Sequence, residues 1–228
     1  MPDINTLLKE LTLEEKISLL TGFNSWYSNK IPRLKIPSMK MSDGPNGVRG
    51  DSTSGKSSAC FPCPISMGST WNKKLIKKIG TALGEEALDK DVDVLLGPTI
   101  NLHRHPLGGR HFENFSEDPF LTAEIAVAYV KGVQSKRVSA CLKHFVANDT
   151  EFERHTVSSN LDERTLREVY LLPFEMGIKK AKAKSVMSAY NKLNNIYCSS
   201  NEDLLVKVLK KEWGFDGYVV SDLSLIHI

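Results

Sequence analysis

The sequence has no apolar run near the roughly 20 residues of a membrane-spanning helix, and no apolar N-terminal segment typical of a secretion signal. Its 30 basic and 27 acidic residues leave a net charge of only +3, too small to indicate a nucleic-acid partner. No internal repeat of roughly 20–50 residues is present. We therefore expect no membrane and no nucleic-acid partner, and a cytoplasmic location, or a secreted one if residues precede Met1.

The cysteines are few and scattered. Cys60 and Cys63 form a Cys-x-x-Cys pair, but Cys141 and Cys198 stand alone, so the second pair of a four-thiolate zinc site is missing. Prolines beside the first pair predict an irregular loop, whereas a redox dithiol opens a helix. We expect neither a structural metal site nor a redox centre.

The sequence does contain a regular alternation of amphipathic segments and short apolar runs. The runs at residues 92–96, 138–146, 186–190 and 218–221 are predicted strands, and each follows a segment with helical spacing. N-cap residues indicate four helix starts, at Thr12, Asp118, Asp162 and Asn201. Repeated strand–helix units form parallel sheets, so the predicted class is α/β, and 228 residues suit one barrel domain.

Polar residues cluster where the predicted strands end. Asp43 opens an Asp-Gly-Pro turn, Arg110 follows two glycines, Lys143-His144 ends a strongly apolar run, and Asp222 follows Tyr-Val-Val-Ser. In parallel α/β folds the functional residues lie at the C-terminal ends of strands, so these side chains predict one site. Taken alone, Asp43 is equally well explained as a turn residue, and Met187 is more often a core residue.

Two reaction classes fit this set. Retaining glycoside hydrolysis needs a carboxylate beneath the anomeric carbon, a second carboxyl group about 5–5.5 Å away, and charged groups that bind sugar hydroxyls. Metal-dependent hydrolysis is the alternative, because residues in the order of a bimetallic ligand set occur: His103, His105, Lys143, His144, His155 and Asp222. Arg104 and Arg110 would place cations beside such metals, which favours the glycosidase.

Five segments in order carry a family resemblance: SDGPNGVR at 42–49, GPTINLHRHPLGGRHFE at 97–113, KHFVAN at 143–148, VMSAYN at 186–191 and VVSD at 219–222. From about residue 10 to Asp222 the sequence resembles glycoside hydrolase family 3. The resemblance implies a TIM-barrel-like (β/α)8 fold, incomplete at its C-terminal end. It predicts one catalytic domain over residues 1–222, and a tail, residues 223–228, that does not match the family.

The resemblance also implies residue roles and an activity. Asp222 matches the nucleophile, Asp43 the carboxylate that binds hydroxyls on the far side of a glucose ring, and Glu113 a residue that orients Arg110. The family's polar residues that bind the sugar correspond to Arg110, Lys143, His144 and Arg154. The residues that line the floor of the site beside the nucleophile correspond to Met187 and Tyr190. The implied activity is hydrolysis of terminal non-reducing β-D-glucosyl residues, with no metal or cofactor. A β-xylosidase and a non-catalytic sugar-binding paralogue are the alternatives.

The sequence departs from the family pattern in two places. After Lys143-His144 it lacks the Pro-Gly-His that supplies the acid/base histidine in the N-acetylglucosaminidase branch. Other members take an acid/base glutamate from a C-terminal α/β sandwich domain, which is missing from these 228 residues. The family tryptophan after the nucleophile is replaced by Leu223. We therefore expect the full-length form to be a β-glucosidase, and this chain alone to be inactive.

Overall fold

A computed structural model describes residues 3–50 and 56–222. Its helices are α1 Ile4–Glu10, α2 Leu13–Leu20, α3 Pro64–Ser69, α4 Lys73–Asp89, α5 Pro119–Gln134, α6 Glu163–Thr165, α7 Leu172–Ala181 and α8 Asp203–Glu212, the last wound as a π-helix. Its strands are β1 Met41–Asp43, β2 Val94–Leu96, β3 Ser139–Phe145, β4 Ser158–Ser159, β5 Ser185–Ser188, β6 Lys192–Leu193, β7 Ile196–Tyr197 and β8 Tyr218–Ser221. The predicted tail, with Leu223, lies outside the described residues.

The framework is a five-stranded parallel sheet in the order β1-β2-β3-β5-β8. Its strands follow one another in chain order with helices between them, which is the connectivity of a (β/α)8 barrel. The pairing register is regular between β1 and β2, where Asp43 lies opposite Leu96, and between β5 and β8, where Met187 lies opposite Val220. The predicted α/β, TIM-barrel-like class is confirmed, and the described residues supply five parallel strands of the barrel wall.

All four predicted helix caps are present. Thr12 accepts a hydrogen bond from the backbone of Glu15, whose side chain binds the Thr12 backbone in return, which completes a capping box. Asp118, Asp162 and Asn201 each accept from the backbone N–H three residues further on. The rule that a short polar side chain precedes the first turn of a helix therefore predicted these four helix starts correctly.

The segment after Asp162 differs from the single helix that its spacing predicts. Helix α6 ends at Thr165, the chain continues as a π-helix over Leu166–Tyr170, and α7 begins at Leu172. The ring nitrogen of Pro173 has no hydrogen to donate to the preceding turn, so a continuous α-helical ladder cannot run through this point.

A small sheet of β4, β6 and β7 was not predicted. Its hairpin turns at Asn194 and Asn195, whose φ angles of 49° and 68° are both positive. Asparagine tolerates this region better than other side chains, and such pairs form type I′ hairpin turns. The Asn194-Asn195 pair is therefore the sequence signal from which this hairpin could have been predicted.

Helices α4 and α5 pack at very short range behind the sheet. A Cβ atom on Gly132 would lie 2.4 Å from the Lys77 carbonyl oxygen, and one on Gly80 would lie 2.4 Å from the Tyr129 carbonyl oxygen. Both contacts are with backbone, which cannot move aside as a flexible side chain does. Among the described residues, no helix is long and apolar enough to cross a bilayer.

We expect Gly132→Ala to lower the free energy of unfolding by about 2 kcal/mol or more, because the added methyl group forces the two helices apart. Urea unfolding of the purified protein measures the change. Lys131→Ala, one position earlier on an exposed site, is the control and should change stability by about 0.5 kcal/mol or less. Equal effects of the two substitutions would contradict the close crossing.

Candidate active site

The eight predicted site residues converge on one cavity of about 160 Å³ at the C-terminal ends of the parallel strands. The cavity, called here the site cavity, is lined by Asp43, Leu96, Arg110, Lys143, His144, Arg154, Met187, Tyr190 and Asp222. Of these, only Leu96 was not predicted as a site residue. The structure thus brings the set together, while the role of each residue stays a prediction.

Asp43 and Lys143 form an ion pair across the cavity. The Lys143 Nζ lies 2.9 Å from the Asp43 Oδ1, with the lysine side chain 5% exposed. Burial alone would raise the pKa of Asp43, but the Lys143 charge and hydrogen bond, aided by Arg49, lower it below its usual value. Asp43 is therefore an ionised hydrogen-bond acceptor.

Helices α4 and α5 hold the loop that follows Asp43. The Glu86 carboxylate accepts from the Val48 backbone N–H at 2.9 Å, and the buried Lys90 ammonium pairs with Glu86 at 3.0 Å. From α5, the Tyr129 hydroxyl donates to the Pro45 carbonyl at 2.7 Å. Buried groups far along the chain thus place the Asp43 loop.

His144 is fixed by Asn101, a buried residue on the loop after β2. The Asn101 amide binds both backbone groups of His144 at 2.9 Å, and its Oδ1 lies 3.3 Å from the imidazole Nδ1. Arg110 approaches Nε2 at 3.2 Å, and a guanidinium only donates. The geometry thus assigns the neutral tautomer with the proton on Nδ1 and leaves Nε2 as an acceptor.

Arg110 reaches the cavity as the predicted pair with Glu113. Its Nε lies 2.8 Å from the Glu113 Oε1, and its Nη2 lies 3.2 Å from Oε2. Two parallel contacts fix the plane of a guanidinium as well as its position. The carboxylate of Glu113 is thereby occupied by this arginine.

Asp222 follows β8 and is buried, with 6% of its surface exposed. Its Oδ2 lies 3.7 Å from the His144 Nε2, and the Tyr190 hydroxyl hydrogen-bonds to its carboxylate. Burial first, and then the Asp222 charge, raise the pKa of Tyr190 to about 12, so the phenol stays protonated. Arg154 lies over the Tyr190 ring, 4.8 Å from its centroid.

Of the four histidines in the metal alternative, His144 lines the site cavity, whereas His103, His105 and His155 do not. His103 points its Nε2 at the carbonyls of His111 and Asn114. No group of three or more histidine, cysteine or acidic side chains suited to a metal occurs in the described part of the chain.

Two contributors near the cavity were not predicted, Asn101 and Glu151. Asn101 falls in the family-like segment at residues 97–113, but its contacts are with His144, 43 positions away, and a local pattern does not indicate them. Glu151 pairs with Arg154 at 2.9 Å and lies 3.8 Å from Arg110. Glu151 lies in a polar loop, where the sequence pattern does not indicate its contacts with the two arginines.

Residues 10–228 match the family described as the glycosyl hydrolase family 3 N terminal domain. The chain belongs to this family. A β-glucosidase of Rhizobium radiobacter is 56% identical to it over 96% of the chain and 27% of the relative. The thermostable β-glucosidase B of Acetivibrio thermocellus is 48% identical over 99% of the chain and 31% of the relative.

Solved structures of the family superpose closely on the family 3 domain described here. β-Glucosidase 3B of Thermotoga neapolitana, in complex with α-D-glucose, gives a TM-score of 0.92 at 46% identity, over 96% of this chain and 33% of that one. The Kluyveromyces marxianus β-glucosidase, in complex with glucose, gives 0.94 at 45% identity, over 96% and 27%. The chain thus spans about a quarter to a third of the length of these relatives.

The neutral state of His144 predicts a pH dependence of stability. Burial, and then the charges of Lys143, Arg110 and Arg154, lower its pKa in the fold well below 6.5. The unfolded chain therefore binds the proton more readily, and stability is lost as pH falls below about 6.5. Between pH 6.5 and pH 5 we expect protonation of this histidine in the unfolded chain to lower the free energy of unfolding by up to about 2 kcal/mol. The variant His144→Gln should lack this part of the pH dependence.

Urea unfolding at the two pH values measures the difference. Other titrating groups contribute to both proteins and cancel in the comparison. Identical slopes for the wild type and His144→Gln would contradict a buried neutral imidazole.

Proposed function

We propose that the polypeptide containing this domain hydrolyses terminal non-reducing β-D-glucosyl residues from glucosides or oligosaccharides, with retention of configuration. The observation that carries the proposal is the position of Asp222. Its buried carboxylate lies in a cavity lined by hydrogen-bonding groups from several strand ends. The names of the family relatives support glucose as the sugar.

In the proposed reaction, the Asp222 carboxylate attacks the anomeric carbon and the aglycone oxygen leaves with a proton. Water then attacks the anomeric carbon of the glucosyl ester and gives a proton to the group that protonated the aglycone, which releases glucose and the free carboxylate. Asp43, Lys143 and the His144 Nε2 bind ring hydroxyls, and Arg110 adds further donors. The Tyr190 hydroxyl orients the nucleophile by its hydrogen bond. Neither displacement involves a metal or cofactor.

The acid that protonates the leaving group does not come from the described cavity residues. The Lys143 ion pair lowers the pKa of Asp43, while Glu113 and Glu151 pair with Arg110 and Arg154. A general acid must carry a proton at working pH, and each of these three carboxylates is already engaged by a cationic side chain. We propose that a C-terminal α/β sandwich domain of the same polypeptide supplies the acid. The three- to fourfold greater length of the relatives supports this.

Trapping the intermediate tests the assignment of the nucleophile. The full-length polypeptide is treated with an activated 2-fluoro-β-glucoside, and peptide mass spectrometry is expected to find the label on Asp222. Asp222→Asn should remove labelling and lower kcat by several orders of magnitude. Asp216→Asn, at an exposed carboxylate on the preceding turn, is the control and should label like the wild type.

Label on another residue of an active enzyme would refute Asp222 as nucleophile. Sugar binding without turnover would instead favour the non-catalytic paralogue.

Asp43 predicts the preference for glucosides over xylosides. We expect Asp43→Asn to lower the ratio of their kcat/KM values by about 10- to 100-fold, because a xyloside lacks the hydroxymethyl group on the side of the ring that this carboxylate binds. Any effect of the unpaired Lys143 acts on both substrates and cancels in the ratio. Asp216→Asn, at a carboxylate with its side chain 79% exposed, is the control and should leave the ratio unchanged. An unchanged ratio in Asp43→Asn would contradict the role of Asp43.

A further inference from the structure

We infer that Glu151 is a positioning residue of this site, which holds Arg154 on the ring of Tyr190 and offsets the positive charge of Arg154 and Arg110 beside Asp222. The inference rests on the proposed function, because it concerns how that function is tuned. Glu151 does not line the site cavity, so it acts through the two arginines.

The carboxylate of Glu151 uses its two oxygens on different partners. Oε2 accepts from the Arg154 Nη1 at 2.9 Å, whereas Oε1 accepts from the Asn148 amide at 3.3 Å and lies 3.8 Å from the Arg110 Nη1. Its side chain is only 20% exposed. A fixed, mostly buried carboxylate is screened little by solvent, so its charge acts on both guanidinium groups.

The two arginines depend on Glu151 to different degrees. Arg110 already has a bidentate partner in Glu113. Arg154 pairs with Glu151, and its other contact described in the structure is with the face of the Tyr190 ring. Loss of the Glu151 charge would therefore free Arg154 much more than Arg110.

Gly109 packs closely against the side chain of Glu151. A Cβ atom on Gly109 would lie 3.3 Å from both Cβ and Cγ of Glu151. The backbone of the loop after β2 thus packs directly on the Glu151 side chain, which belongs to the loop after β3. A larger residue at this position would press on the Glu151 side chain, so the glycine permits this close packing.

The charge that Asp222 experiences depends on this arrangement. Arg110 and Arg154 both act on the Tyr190–Asp222 pair, with the neutral His144 and the Tyr190 hydroxyl as further neighbours. The Asp43–Lys143 pair adds no net charge, and Arg49, which also lies near Asp43, is 73% exposed and screened by solvent. Without Glu151 the net charge around Asp222 becomes more positive, and Arg154 is free to turn from the Tyr190 ring toward the nucleophile.

Glu151→Gln in the full-length polypeptide tests the inference with 4-nitrophenyl β-D-glucoside. We expect kcat/KM to fall about 10-fold, mainly through KM, because Arg154 loses its place in the sugar site. The acid limb of the kcat/KM profile should move to lower pH, because loss of an anion favours the charged form of Asp222. Glu151→Asp keeps the charge but shortens the side chain, so KM should rise with the acid limb in place.

Glu153→Gln is the matched control, since it removes the same charge from an exposed position on the same loop and should leave both KM and the acid limb unchanged. A purely structural role of Glu151 would give Gln and Asp variants with the same pH profile as the wild type, and this would overturn the inference. So would a wild-type KM in Glu151→Gln, or an equal shift in Glu153→Gln. An inactive wild type would instead refute the proposed function before any variant is compared.

Discussion

The nearly buried ammonium of Lys143 projects from strand β3 into the site cavity. The Asp43 carboxylate, 2.9 Å away, stabilises its charge there. Removing a charge from water costs several kcal/mol unless a partner of opposite sign replaces the solvent. The same constraint recurs around the cavity, where Glu113 pairs with Arg110 and Glu151 with Arg154. Each cation that faces the site therefore has its own carboxylate.

This pairing joins segments that are distant in sequence. The Lys143–Asp43 contact links β3 to β1, and the Glu151 contacts link the loops after β2 and β3. Once the carboxylates are used in this way, the cavity is left with hydrogen-bonding groups and the Asp222 carboxylate next to Tyr190. Such a site can bind hydroxyls and supply a nucleophile, while proton donation to a leaving group has to come from another part of the polypeptide.

The sequence predicted those features that depend on local or periodic patterns. The N-caps at Thr12, Asp118, Asp162 and Asn201 were found because a cap bonds to a residue three positions away. The apolar runs predicted where the strands end. Because the strands are parallel, the polar residues that follow them lie together at the C-terminal edge of the sheet. The resemblance to the family supplied the roles, including those of Met187 and Arg154, which composition and spacing left open.

Features that depend on contacts between distant residues were missed. The amide of Asn101 acquires its function from His144, and the carboxylate of Glu151 from Arg154 and Arg110. Two further misses had local signals in the sequence. Pro173 interrupts the helical pattern after the π-helix at Leu166–Tyr170, and the pair Asn194-Asn195 forms the turn between β6 and β7.

The most direct test of this account is a crystal structure of the full-length polypeptide with a trapped 2-fluoroglucosyl group. The account predicts a bond from an Asp222 carboxylate oxygen to the anomeric carbon, with Asp43, Lys143 and His144 within hydrogen-bond distance of the ring hydroxyls. A glucosyl group bound to another residue, or a sugar in the groove between α3 and α5 that Trp71 and Phe120 line, would contradict it.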